Sequence, residues 1–339
     1  MRLDAVNARI GARRARLLGG AGLRGLLARP SPDAQVAGLR ASAAGASLPV
    51  GPPDLSAIEA ALRRRLREEG EEVVVAAEGR RARARLVAWI GLDEAEAVKA
   101  VVRGLLLGAS PEEVLASAPV TPCLPAPALR AAAGAASVVE GLATLAASGS
   151  AVANAARDAW TPWVGHPRGA QGGLVEVELA ADRAAFRRAF AAARGPEEDA
   201  RLLRAHLADR VDARNARTLL LGGSAPATSF LAGGRRLSLR DLARLATLDP
   251  SAIRDALARA FKIAAAALAH PALAEVTLEA VLLRPLHREA RARPLSLAVP
   301  LAYLAERRAE VRRVALALRG TALGLPGDEL LSLVEGGPP

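Results

Sequence analysis

The sequence predicts an all-α fold, and three observations carry that expectation. First, 51% of the 339 residues are hydrophobic but only 2% are aromatic. Ala, Leu and Val must therefore fill the interior. Second, Ala, Leu and Arg are strong helix formers, whereas the β-branched and aromatic residues favoured in strands are scarce outside Val. Third, Pro and Gly fall in clusters at 45–53, 119–127, 161–173, 222–226 and 336–339, with segments of helical character running between them. The length allows one large domain or about two to three ordinary ones. The apolar content excludes intrinsic disorder and collagen-like structure.

In chain order, the expected helices span 3–29, 54–70, 80–108, 111–118, 127–158, 182–194, 197–221, 238–248, 250–269 and 296–323. The first is Arg-rich with a single acid, Asp4, a composition shared by amphipathic first helices and organellar transit peptides. Ser110-Pro111-Glu112-Glu113 carries an N-cap residue, Pro at the first helical position and acids in the first turn. Asp249-Pro250 opens a helix in the same way. Two short stretches read as strands: Val73 to Ala76, and the alternating Leu174 to Leu179.

The net charge is +11 and the pI about 11.2, which invites a nucleic-acid or anionic-membrane partner. Among 46 cations, however, Lys occurs only at Lys99 and Lys262. A preference for Arg over Lys raises the pI without changing the charge. The longest unbroken apolar run, Ile263 to Ala269, is far shorter than the roughly 18–20 residues of a membrane span. The stretch 131–156 is Ala, Gly and Ser interrupted by Glu140, and is read as buried or loop-rich. One cysteine, Cys123, allows no internal disulfide and no multi-Cys metal site. These features together suggest a soluble protein of a reducing compartment.

An internal repeat underlies the helices. Glu94–Arg103 (EAEAVKAVVR), Asp212–Leu221 (DARNARTLLL) and Glu310–Arg319 (EVRRVALALR) align without gaps, each opening on an acid. A glycine follows each: Gly104, Gly222 and Gly320. Four residues further, Gly108 and Gly324 mark helix ends, followed by SPEEVL and LPGDELL. The expected units are a single chain-long region, 1–339, containing repeats at about 54–150, 174–248 and 250–335. In the last, Leu304, Val311, Val314, Ala315 and Leu318 share one helical face. Glu306, Arg307, Glu310 and Arg313 decorate the remainder, with Glu310 and Arg313 spaced for an i,i+3 pair. Such charges belong either to a solvated flank or to one end of a bundle that lines a common cavity.

No catalytic constellation is legible. The Gly-rich pieces LLGGAG and LLGGSAP lack the Lys that reaches phosphates. His166, His206, His270 and His287 form neither an i,i+4 pair nor HExxH, and no acidic cluster is spaced to hold magnesium. Cys123 lies in a Pro-rich loop with no His in sequence reach, and Trp160 and Trp163 read as a packing staple around a Pro turn. The expectation is a chain with no catalytic, cofactor or metal residues.

Three passages resemble the C-type rotor component (d-type in eukaryotes) of the V-type and A-type rotary ATPases. The segment 294–323 is similar to that family's closing helix, ending Arg-Gly-x-x-x-Gly-Leu, on Tyr303, Arg307, Glu310, Val311, Arg319, Gly320 and Gly324. Asp209–Asp241 resembles the middle repeat, with Asp212 and Asn215 opening a helix and Gly233-Gly234 preceding the next. Val6–Leu18 resembles the opening helix, which favours a helix of the mature protein over a transit peptide. Leu221 stands where the family usually has a cation, Arg313 where it has Asn, and 125–172 matches only loosely.

The resemblance implies a funnel-like, non-catalytic rotor subunit of three similar helical bundles, present in one copy on the cytoplasmic face of the membrane. Its implied partners are the central-shaft subunits and the membrane proteolipid ring, with no cofactor and no nucleic acid. Structural or interface roles then fall to Glu94, Arg103, Asp212, Asn215, Tyr303, Arg307, Glu310, Arg319, Gly320 and Gly324. The Arg-rich stretches 63–67 and 307–313 are expected to contribute to those interfaces. The alternative is an Arg-rich helical nucleic-acid-binding or scaffold protein. Against it, cations alternate with acids, as in RRRLREEGEE, and aromatic stacking platforms are nearly absent.

Overall fold

A computed structural model describes residues 4–45, 48–51, 54–166, 169–222 and 227–335. Among them the regular structure is entirely helical. The helices are α1 (Asp4–Arg14), α2 (Gly19–Leu27), α3 (Pro32–Arg40), α4 (Leu55–Ala76), α5 (Arg80–Ile90), α6 (Asp93–Leu107), α7 (Pro111–Ser117), α8 (Ala126–Ala133) and α9 (Val138–Ala147). There follow α10 (Ala151–Trp160), α11 (Gly169–Ala192), α12 (Glu198–Gly222), α13 (Leu239–Leu245), α14 (Pro250–Phe261), α15 (Pro271–Ala292), α16 (Ala298–Ala322) and α17 (Gly327–Glu335).

Both expected strands are helical. Val73 to Ala76 ends α4, and Leu174 to Leu179 lies within α11. The physical reason is visible in α11, where Val177, Ala181, Ala185 and Ala189 are all buried at steps of four. That long helical stripe overrides a local alternation of six residues. The single helix expected over 127–158 is three, because Ser137 and Ser150 each cap a new start, accepting from the N–H of Glu140 and of Ala153. Helix α15 is not among the expected helices. Pro271 starts it and Pro285 sits inside it without ending it, held by the buried stripe Leu278, Leu282 and Leu286.

The chain divides into two compact units, one of Met1–Ala82 with Leu202–Pro339 and one of Arg83–Arg201. The first contains two apolar clusters. Leu23, Leu26, Val36, Leu39, Ile58 and Leu62 pack with Val311, Val314, Leu318 and Val334, bringing α2, α3 and α4 against α16 and α17. Ala216, Leu219, Leu242, Leu245, Ile253, Leu257, Phe261, Leu278 and Val281 join α12 to α15. In the second unit α6 packs with α8, α9 and α11, over a buried set that includes Val98, Val101, Leu129, Leu142, Val152 and Val177. Leu and Ala supply most of this interior, so helices approach closely without aromatic spacers.

Candidate functional site

The acid that opens each aligned repeat is buried. Glu94 is 1% exposed, Asp212 0% and Glu310 6%. A carboxylate removed from water demands charged or hydrogen-bonding partners, and each of the three is answered differently.

Glu94, on α6, receives two bonds from Arg188 of α11, at 2.6 Å to Oε1 and 3.0 Å to Oε2. Ser150 Oγ donates a third at 3.0 Å while also capping α10. The fork of Arg matches the carboxylate edge to edge.

Asp212, on α12, is answered by the main chain. It accepts the backbone N–H groups of Arg235 and Arg236 at 2.9 Å each, and of Leu237 at 3.3 Å. Burial pushes its pKa up, with the three amides pulling the other way. One turn on, Asn215 clamps Leu231 of the same loop, donating to its carbonyl at 2.9 Å and accepting its N–H at 2.8 Å. Gly234 lies against Asp212, and a Cβ there would collide with the carboxylate. The Arg235 side chain forks onto the neighbouring buried Asp209, 2.7 Å to each oxygen.

Glu310, on α16, takes Arg307 Nη1 at 2.6 Å and the N–H of Leu18 at 3.3 Å. Arg307 also donates to Glu69 of α4 at 3.2 Å, and Tyr303 donates its hydroxyl to the same Glu69 oxygen at 2.7 Å. Arg65 reaches the other Glu69 oxygen at 3.0 Å. Burial raises the pKa of Glu310 and, with Glu69 alongside, that of the Tyr303 phenol. The i,i+3 pair expected between Glu310 and Arg313 is not formed: Glu310 turns inward to Arg307 instead.

The far ends of the repeated helices also correspond. Arg103 pairs with Glu178 at 2.6 Å, half exposed. Arg319 forks onto the buried Glu59 of α4, its Nη2 at 2.8 Å, where Arg63 joins at 2.9 Å. A Cβ on Gly104 would collide with Val114 ten residues on, and one on Gly320 with Leu330, also ten residues on. Gly108 and Gly324 both adopt left-handed conformations, φ +66° and +74°. In each copy the next amide closes on the first glycine's carbonyl at 2.9 Å, Ala109 to Gly104 and Leu325 to Gly320. In the middle copy the residues after Gly222 fall at 223–226, outside the described residues.

Sequence reasoning does not reach the partners of these acids. Glu69 carries a usable signal: it falls on the α4 stripe of Ile58, Leu62 and Val73, an acid where an apolar residue belongs. Arg188, Asp209 and the buried Lys99–Asp182 pair (2.7 Å) carry none, because surrounding Arg and Asp residues look alike in sequence. The two Arg-rich stretches meet carboxylates of their own chain, Arg67 on Glu71, Arg307 on Glu69 and Arg312 on Glu275.

What this chemistry can do is hold helices in register. Among the described residues no three His, Cys, Asp or Glu gather as a metal site, and no helix is long and apolar enough to cross a membrane. Burial and the nearby Glu94 push the Cys123 thiol above its usual range, away from a reactive thiolate. His270 caps α15, and His287 lies 2.7 Å from Glu306. His166 meets the Trp163 ring edge-on at 5.0 Å. A cavity of about 310 Å³ between α12, the turn after α13, α14 and the start of α15 has a mainly apolar lining, with Thr247 and Arg254 its polar side chains.

Compared with known proteins, residues 6–333 match the model of a family described as ATP synthase (C/AC39) subunit. No curated protein matches the chain.

Proposed function

The chain belongs to the ATP synthase (C/AC39) subunit family, a non-catalytic part of rotary ATPases, and from that premise we propose that it is the socket of the central rotor. In this reading it receives the end of the shaft and stands on the membrane proteolipid ring at the cytoplasmic face, one copy per complex. Torque then passes through it in either direction, while nucleotide chemistry occurs in other subunits.

The observation that carries the reading is the repeated buried acid. A torque coupler must transmit strain rather than absorb it. Glu94, Asp212 and Glu310 each tie a long helix to a neighbouring element through directional bonds, to Arg188, to the amides of 235–237 and to the Leu18 amide. Such pairs contribute little net stability but fix geometry. Close Ala and Leu packing supplies the remaining stiffness. The matching glycine ends of α6 and α16 support a likeness between the first and last of the three units the reading takes, at about 54–150, 174–248 and 250–335; the funnel is part of the proposal. The net charge of +11 suits the anionic membrane surface.

The test is recovery of the tagged protein from gently solubilised native membranes, with its partners identified by mass. The reading predicts the catalytic subunits, the shaft subunits and the proteolipid together. Recovery of nucleic acid or ribosomal proteins in their place would contradict it.

A further inference from the structure

The cavity of about 310 Å³ beside α14 lies wholly within the first compact unit. Its floor is Leu219, Ile253 and Leu268, all buried members of the cluster that joins α12 to α15. Its rim is Leu248, Pro250 and Pro271, which are exposed to solvent. Each proline is the first residue of its helix, α14 or α15, where the ring fixes the backbone. Packing below and two rigid helix starts above therefore set the walls before anything enters.

Most polar groups at the cavity are engaged. Thr247 donates its hydroxyl to the Arg244 carbonyl at 2.8 Å. Asp249 and His270 precede the two prolines, and each turns to its own helix. Asp249 accepts the N–H groups of Ser251 and Ala252 at 3.0 Å, and His270 accepts that of Ala272 at 3.3 Å. Arg254 differs. It lines the cavity from a half-buried position one turn into α14, and no acid lines the cavity with it. Among the described residues it has neither a hydrogen bond nor an ion pair, even with its exposed neighbour Asp255. A guanidinium held against apolar walls without a counter-charge favours an anion there, and carboxylates match its fork.

We propose that this cavity binds a single-chain amphiphile with an anionic head, a medium-chain carboxylate. Its chain lies over Leu219, Ile253 and Leu268, and its carboxylate meets Arg254. A small number of polar groups in a mainly apolar cleft is the usual form of a ligand site, orienting what the walls attract. Size sets the chain length. A cavity of about 150 Å³ admits one benzene ring, so twice that volume takes roughly eight to twelve carbons. A shorter chain forfeits apolar contact, and a longer one leaves methylenes in water. The site is a property of the chain by itself and stands apart from the rotor assignment.

The test is equilibrium dialysis of the purified full-length chain against labelled decanoate, kept below its micelle concentration. One saturable site is expected. Decanol should bind about tenfold more weakly, because it lacks the charge that Arg254 meets at a partly solvated position. Hexanoate should be weaker than decanoate by about tenfold or more. Arg254→Gln should lower decanoate affinity about tenfold and leave decanol unchanged, whereas Arg254→Lys should keep most of the preference for the acid. Ala269→Trp, at an exposed position of the lining, should block both ligands with the urea midpoint unchanged. Equal affinity for decanoate and decanol, full binding by Arg254→Gln, uptake that never saturates, or no uptake at all overturns the proposal.

Discussion

Arg307 donates from Nη1 to Glu310 at 2.6 Å on its own helix, and from Nε to Glu69 at 3.2 Å on α4. One buried cation thus serves two buried carboxylates, with Tyr303 and the Leu18 amide completing the set. The last long helix of the chain is thereby fastened to α4 and to the turn after α1.

Removing the shared cation leaves both acids buried without it. Arg307→Met is expected to destabilise the protein by about 3–5 kcal/mol, read as a lower midpoint in urea unfolding. Glu310→Gln keeps an acceptor for Arg307 and is expected to lose only about 1 kcal/mol. Burial raises the Glu310 pKa above its ordinary 4.5. Ionisation of the folded form therefore works against stability. The lead of wild type over Glu310→Gln should be largest below about pH 4.5 and shrink as pH rises.

His206 gives an opposite pH dependence. Burial, with Arg210, Arg308 and Arg235 nearby, lowers its pKa from 6.5 to about 3. The folded state binds fewer protons than the unfolded one throughout that interval. Stability is complete above pH 6.5 and falls as pH drops towards 3, by roughly 2 kcal/mol at pH 5. Thermal melts of His206→Gln should lack this component of the slope. An unchanged slope would mean that His206 takes up its proton in the folded state as readily as in the unfolded one.

Asp212 holds its loop by three backbone amides. Asp212→Ala strands those donors and is expected to cost at least about 3 kcal/mol. Hydrogen exchange at Arg235, Arg236 and Leu237 should accelerate by more than exchange in α16.

Gly104 and Gly320 occupy equivalent places but should not respond equally to Ala. Both facing side chains are buried, but Val114, which faces Gly104, is β-branched and stiff at its first torsion, while Leu330, which faces Gly320, has a second torsion by which its terminal methyl can move. Gly104→Ala is expected to cost about 1–3 kcal/mol by overpacking. Gly320→Ala should be nearly neutral, because helix propensity gained offsets the adjustment. Denaturant midpoints of the two variants decide this.

Helix content, the glycine ends and the repeated acid are legible because each is a local pattern: composition, a capping signature, a spacing of residues within one helix. The segments 73–76 and 174–179 pass for strands because β-branched runs look alike until the longer stripe around them is counted. Helix α15 is hidden by Pro285, which a packed stripe of leucines tolerates. The partners of the acids are not legible, since Glu94 finds Arg188 ninety-four residues away and Arg319 finds Glu59 at a distance of 260. Nothing local distinguishes those cations from the many other arginines.

The most direct test of the rotor assignment measures coupling. Membranes stripped of this protein and reassembled with or without it would be assayed in parallel for ATP hydrolysis and ATP-driven ion uptake. A non-catalytic coupler predicts that hydrolysis by the catalytic subunits persists without it while uptake is lost, and that adding the protein back restores uptake in proportion to the amount bound. Ion uptake that proceeds unchanged in its absence would contradict the account.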